Sequence, residues 1–238
     1  MLYMEKHNSS KKIAYCFSPA VMVATCEIEF ALLIFTLIRY KINKLTILVS
    51  LLFGFLALFQ ISEYNVCRGY INASLWSHIG YISITLLPTL GIHIINVIRK
   101  KKDNGLVYFG YITSLIFIGY FALTVGSITG HQCLGNYVIF QVNKNLSWLY
   151  ALYYYGWVIT GTILSFFYAE QTKNKKIKYA LYAFSAGYAS FLIPTTTANL
   201  LNKATLNGIP SIMCGFAVLL AIIVTFLVLP KVAIKRLK

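Results

Sequence analysis

The chain is 238 residues long, 58% apolar and 16% aromatic, and only 11% of it is charged. Soluble domains are about half apolar and about a quarter charged, so a disordered chain, a coiled coil and an ordinary water-soluble enzyme are all excluded. Lys and Arg outnumber Asp and Glu by 21 to 6, giving a net charge of +15.

A helix needs about 20 apolar residues to cross hydrocarbon. Seven runs supply them: 19–38, 45–64, 75–98, 106–125, 148–169, 179–201 and 211–229. The period-two alternation of barrel strands is absent, and backbone groups in lipid must be satisfied within the segment. The expectation is an all-α integral membrane protein, a seven-transmembrane-helix bundle over residues 19–229. An outer tail precedes it (1–18) and a basic cytoplasmic tail follows it (230–238). Ser18 and Pro19 suit the N-cap and first position of the first helix. Residues 1–14 carry Glu5, Lys6, His7, Lys11 and Lys12 without the apolar stretch of a cleaved signal peptide.

Basic residues set the expected orientation. Arg39, Lys41, Lys44, Arg99, Lys100, Lys101, Lys102, Lys173, Lys175, Lys176, Lys178, Lys231, Lys235, Arg236 and Lys238 fall on one side, and Lys6, Lys11, Lys12, Arg68, Lys144 and Lys203 on the other. The positive-inside rule then gives an N-out/C-in topology in the cell membrane. Anionic inner-leaflet lipid accounts for the charge without nucleic acid. The basic loops also offer a surface for a cytoplasmic partner, and the bundle for a second copy of the chain. The longest connection, 126–147, holds an apolar stretch (137–142) that suits a short strand, an interfacial segment or a re-entrant piece.

Ionisable groups within spans are costly and are functional candidates by default. Glu27 shares a helical face with Ala20, Ala24 and Ala31, a small-residue stripe suited to close helix packing. Glu29 lies about 200° round the helix, with Thr25, Cys26 and Thr36. Both faces are expected to be covered by protein or lined by water. Gln60, Glu63 and Cys67 recur at i, i+3 and i+7 on one face of the second span, and His78 enters the third at similar depth. A Glu63–His78 pair and a polar rim hydrogen-bonded to water are the two readings there. His93, near the cytoplasmic end, reads as a headgroup-level residue. Cys67 and Cys133 stand in different outer loops, where disulfides are permitted. The rival is a metal site drawing on Cys16, Cys67, His78, His131 and Cys133, whose His-x-Cys spacing is poor for zinc.

Pro88 and Pro194 interrupt the third and sixth spans within Leu-Leu-Pro-Thr and Leu-Ile-Pro-Thr. Broken helices at corresponding positions of inverted halves point to a transporter's midplane site, with Thr195 and Asn199 nearby. The aromatic run Trp148, Tyr150, Tyr153, Tyr154, Tyr155 and Trp157 opens the fifth span from outside, and an interfacial belt explains the first of them. Trp157 lies too deep for that and suits a cavity wall.

Cys16-Phe17-Ser18 followed by Gln60-x-x-Glu63 resembles an uncharacterised family of small bacterial polytopic membrane proteins, which begin with Cys-Phe-Ser and carry Gly…Gln-x-x-Glu in the second span. The likeness covers the first third of the chain. Gly54 stands further from Gln60 than in that pattern, and Tyr64 replaces a glycine. The resemblance singles out Ser18, Gln60 and Glu63 and implies no reaction. Other seven-span families fit less well. No lysine lies in 211–229 for a retinal Schiff base, no Pro-Gln pair marks a sugar exporter, and no histidine follows His131 for a ceramidase-like hydrolase.

The residues therefore favour small-molecule or ion permeation, with Glu27, Glu29 or Glu63 as proton- or cation-linked groups and no cofactor. A sensor with an outer pocket at Gln60, Glu63 and His78 is the second reading. An intramembrane hydrolase with a metal near Glu63 and His78 is the third.

Overall fold

The structure, a computed structural model, describes residues 19–68, 72–100, 104–134, 137–201 and 209–236. The Ser18 cap, the Cys-Phe-Ser triplet and the N-terminal tail lie outside these residues. Among them, seven long helices build the bundle: α1 (Pro19–Arg39), α2 (Lys44–Cys67), α3 (Ala73–Ile98), α4 (Gly105–Leu123), α5 (Lys144–Gln171), α6 (Lys175–Leu201) and α7 (Ile209–Ile223). The last continues through a π-helical turn (Val224–Val228) into the short α8 (Leu229–Val232). Between α4 and α5 stands a hairpin, β1 (Ile128–Leu134) and β2 (Tyr137–Val142).

Among the described residues, five helices are long and apolar enough to cross a membrane: α1, α2, α3, α4 and the α7–α8 run Ile212–Val232. The protein is thus all-α, apart from one hairpin, and membrane-like. The 28-residue α5 and 27-residue α6 are more polar. Much of that polarity faces inward, with Tyr150, Tyr153, Tyr154 and Ser165 of α5 and Tyr188 and Thr195 of α6 all buried.

Side-chain caps fix the helix starts. Asn43 accepts from the Thr46 amide at 3.1 Å while the Thr46 hydroxyl accepts from the Asn43 amide at 2.8 Å, closing a capping box on α2. Asn104 caps α4 through the Val107 amide, and Asn174 caps α6 through the amides of Lys176 and Ile177. Helix α3 is the hub, packed against α2, α4, α5, α6 and β1.

Helix α1 is peripheral and buries one stripe, Met22, Thr25, Glu29, Leu32 and Thr36, toward α2 and α7. Here the expectation for Glu27 is corrected. Glu27 is exposed, and so are Ala20, Ala24 and Ala31 on its face. The heptad-like spacing of Met22, Leu32 and the threonines fills the groove between α2 and α7, which leaves the small-residue face outside.

The two ends of the bundle differ. At one, β1 and β2 pair antiparallel in the register Ile128↔Val142 to Leu134↔Tyr137, with a bulge at Thr129, and resolve the 137–142 stretch as a strand. At the other, the chain after α8 returns to the α1–α2 loop. The Lys41 amide donates to the Ile234 carbonyl at 2.8 Å and the Arg236 amide to the Arg39 carbonyl at 3.1 Å, around an antiparallel bridge between Tyr40 and Lys235.

Candidate functional site

The hairpin seals its end of the bundle. Alternation along β2 turns Val138 and Phe140 inward, both buried, while Gln141 faces out. Phe140 packs edge-on to Tyr81 of α3 at 5.3 Å and tilted against Phe59 of α2 at 6.2 Å. A disulfide between Cys67, at the end of α2, and Cys133 of β1 ties this plug to the bundle.

Beneath the plug lie Gln60 and Glu63, each 2% exposed. The Gln60 side-chain amide nitrogen has no hydrogen-bond partner among the described residues. Glu63 is within electrostatic reach of Tyr81 and of Cys214 on α7. Cys214 is also within reach of Glu29, which is wholly buried and whose two carboxyl oxygens both lack a hydrogen-bond partner among the described residues. Glu63 of α2, Cys214 of α7 and Glu29 of α1 are thus all buried within the bundle.

Cys214 also lines a central cavity of about 20 Å³, walled by Pro88, Tyr154, Tyr188, Phe191 and Met213 among others. That volume is about the size of one water, and its walls are mostly apolar, with Leu52, Leu56, Leu87 and Val158 among them. Pro88 thus borders the centre as its helix-breaking character suggested. Pro194 is half-buried and is not among the residues lining that cavity. Thr195 bonds back to the Phe191 carbonyl at 2.7 Å within α6, and Asn199 donates to the Tyr155 hydroxyl at 2.9 Å across the α5–α6 seam. The two prolines are not brought to one cavity.

His78 and Glu63 do not meet either. A Cβ on Gly80 would touch Ser62 and Phe59, so that side of α3 faces α2. His78 lies two residues back, about 200° round the helix. Its ring nitrogens instead meet the Ser74 carbonyl at 2.7 Å and the Ser127 hydroxyl at 3.4 Å. Similar depth was right for the pair, but azimuth separates them, and the metal that the hydrolase reading puts beside both has no common site. Among the described residues no three His, Cys, Asp or Glu side chains converge as a metal-binding group. His93 is buried, with Nδ1 at 2.9 Å from the Tyr111 hydroxyl.

A second polar feature escaped the sequence reading. The Tyr153 hydroxyl donates to the Thr85 carbonyl at 2.6 Å and meets Ser114 at 2.8 Å, Ser114 meets Thr89 at 2.7 Å, and Tyr150 meets the Thr85 hydroxyl at 3.1 Å. This ladder stitches α3, α4 and α5 beside Pro88, whose ring removes a helical donor and loosens the local carbonyls. Tyr150 and Tyr153 are core side chains. Their i, i+3 spacing opposite the Thr85/Thr89 pair was the available signal. Tyr153→Phe is expected to cost about 1 kcal/mol, read as a lower thermal midpoint in detergent. An unchanged midpoint would remove the ladder from the fold's energetics.

Trp157 does wall a cavity. Its Nε1 donates to Thr113 at 3.1 Å, and with Phe109, Tyr153 and Gly156 it lines a groove of about 610 Å³ between α4 and α5. A scan against known protein families finds no match for the chain, and a search of curated proteins finds no relative.

Proposed function

We propose that all seven helices cross the cell membrane, N-out and C-in, and that the protein passes an ion or small molecule across it with a proton-linked step at Glu29 and Glu63. The charge of the two ends supports the orientation. Arg39, Lys41, Arg99, Lys100, Lys175, Lys176, Lys178, Lys231, Lys235 and Arg236 gather at the end away from the hairpin, against Arg68 and Lys144 at the hairpin end. Gln60 and Glu63, the part of the bacterial family motif within the described residues, share one buried face.

Glu29 carries the proposal. A carboxyl buried in a span without a partner costs several kcal/mol, and nothing in its packing repays that cost. Cys214, within electrostatic reach of Glu29, lines the small central cavity. Reconstituted liposomes with an internal pH dye test the reading. Glu29→Gln and Glu63→Gln are expected to lower flux at least about tenfold, one pH-unit equivalent of driving interaction, while the exposed Glu170→Gln retains it. Absence of flux in the native protein, or flux indifferent to both substitutions, counts against permeation.

Stability gives a second readout. Glu29→Leu is expected to raise the stability of the folded bundle by about 1–3 kcal/mol, because an unsatisfied polar group is exchanged for an apolar one of similar shape, while flux is lost. A lower thermal midpoint would instead make Glu29 a structural hydrogen-bonding group.

The plug favours one other reading, an outer-face sensor. Val138 and Phe140 lie over Gln60 and Glu63, so a ligand taking their place would move the hairpin and α2 together. Ligand-dependent hydrogen exchange confined to the hairpin, without flux, is its signature.

A further inference from the structure

We infer that the paired segments at the basic end form a binding site for the phosphate of an anionic phospholipid headgroup. The antiparallel bridge between Tyr40 and Lys235 sets Arg39 across from Arg236 and Lys41 across from Ile234. Two guanidinium-bearing residues are thereby held opposite each other, with Lys41 next to the bridge and Lys235 within it. Like charges directly opposite on paired strands are destabilising, yet the backbone bonds draw these together.

Three other basic residues at this end have local partners. Arg99 stacks over the Tyr168 ring at 3.9 Å, Lys231 over Tyr179 at 5.2 Å, and Lys178 pairs with Glu170 at 3.3 Å. Arg39, Lys41, Lys235 and Arg236 meet no carboxylate among the described residues, where Glu170 is the acid at this end. Among the described residues the four cations thus offer uncompensated positive charge. Arginine's planar fork suits a phosphate diester.

The surroundings select a lipid over a free anion. Ile38, Ile42 and Ile234 are 67%, 61% and 59% exposed around the paired segments. An apolar rim around a cationic centre matches a molecule with acyl chains beneath a phosphate. The site lies where helix ends meet the headgroup layer, at the terminus of α1 and the start of α2. It is independent of the proton-linked reading, since none of its residues borders Glu29 or the cavity.

The test uses the full chain in nanodiscs of phosphatidylcholine with or without phosphatidylglycerol, with bound lipid counted by native mass spectrometry and unfolding followed thermally. Each cation near a lipid phosphate contributes about a fivefold gain in binding. Arg39→Gln with Arg236→Gln is expected to weaken phosphatidylglycerol retention about thirtyfold, whereas Lys175→Gln with Lys176→Gln, at the same end, changes it far less. In pure phosphatidylcholine the Arg236→Gln protein is expected to unfold at the same temperature or higher, because a repulsion is relieved. The phosphatidylglycerol stabilisation of the native chain should shrink as salt is raised, a readout that needs no variant. Equal weakening by both double substitutions, or a salt-independent stabilisation, overturns the site. Inorganic phosphate reproducing the full stabilisation overturns the lipid as its ligand.

Discussion

A methyl group added at Gly91 is expected to destabilise the bundle by about 3 kcal/mol, at the upper end of overpacking costs. The ring of Tyr188 lies between two glycines. A Cβ on Gly91 of α3 would fall 2.8 Å from its Cζ and closer still to its hydroxyl, and one on Gly161 of α5 would fall 2.7 Å from its Cε2. The ring cannot retreat, since Phe184 and Phe191 pack edge-on against it at 5.1 and 5.6 Å. Gly91→Ala should therefore lower the thermal midpoint sharply, and the same change in a Tyr188→Ala background should cost far less. A double-mutant cycle isolates that coupling. Equal costs in both backgrounds would show that the glycine serves α3 itself and not the clamp.

Removing the disulfide is the next largest perturbation. Cys67 and Cys133 are 66 residues apart and enclose α3, α4 and most of β1. Opening a loop of this size is expected to cost about 2–4 kcal/mol. Cys67→Ser should lower the thermal midpoint, and a dithiol reductant should lower that of the native chain but not of the variant. Release of the hairpin should also speed hydrogen exchange over β2 and the outer turns of α2. If exchange at Gln60 and Glu63 stays slow in Cys67→Ser, the packing of Phe140 on Phe59 and Tyr81 holds the plug without the covalent tie.

The seven helices were legible because lipid demands a long apolar run for each, and capping shifts their ends by only a few residues. Helix α5, for example, begins at Lys144, and Asn43 sets the start of α2. Azimuth was much less legible. In a soluble helix the polar face marks the solvent, but the core and the surroundings of a membrane helix are both apolar. The pattern of α1 therefore did not say which of Glu27 and Glu29 turns inward, and the packing groove of α2 and α7 decided it. The same blindness paired His78 with Glu63 by depth. The Tyr153–Ser114–Thr89 ladder was hidden for another reason: its members are 25 and 39 residues apart, and each looks ordinary alone.

The π-helical turn at Val224–Val228 sets the heading of everything after it. A turn closed by i→i+5 bonds carries one residue more than an α-turn, and each residue rotates the chain by about 100°. Without that extra residue the C-terminal segment would leave the bundle about a quarter-turn away, and residues 234–236 would not come alongside 39–41. The surplus residue works as a steering joint: it aims a short basic ribbon at its docking groove while the apolar cylinder behind it stays seated.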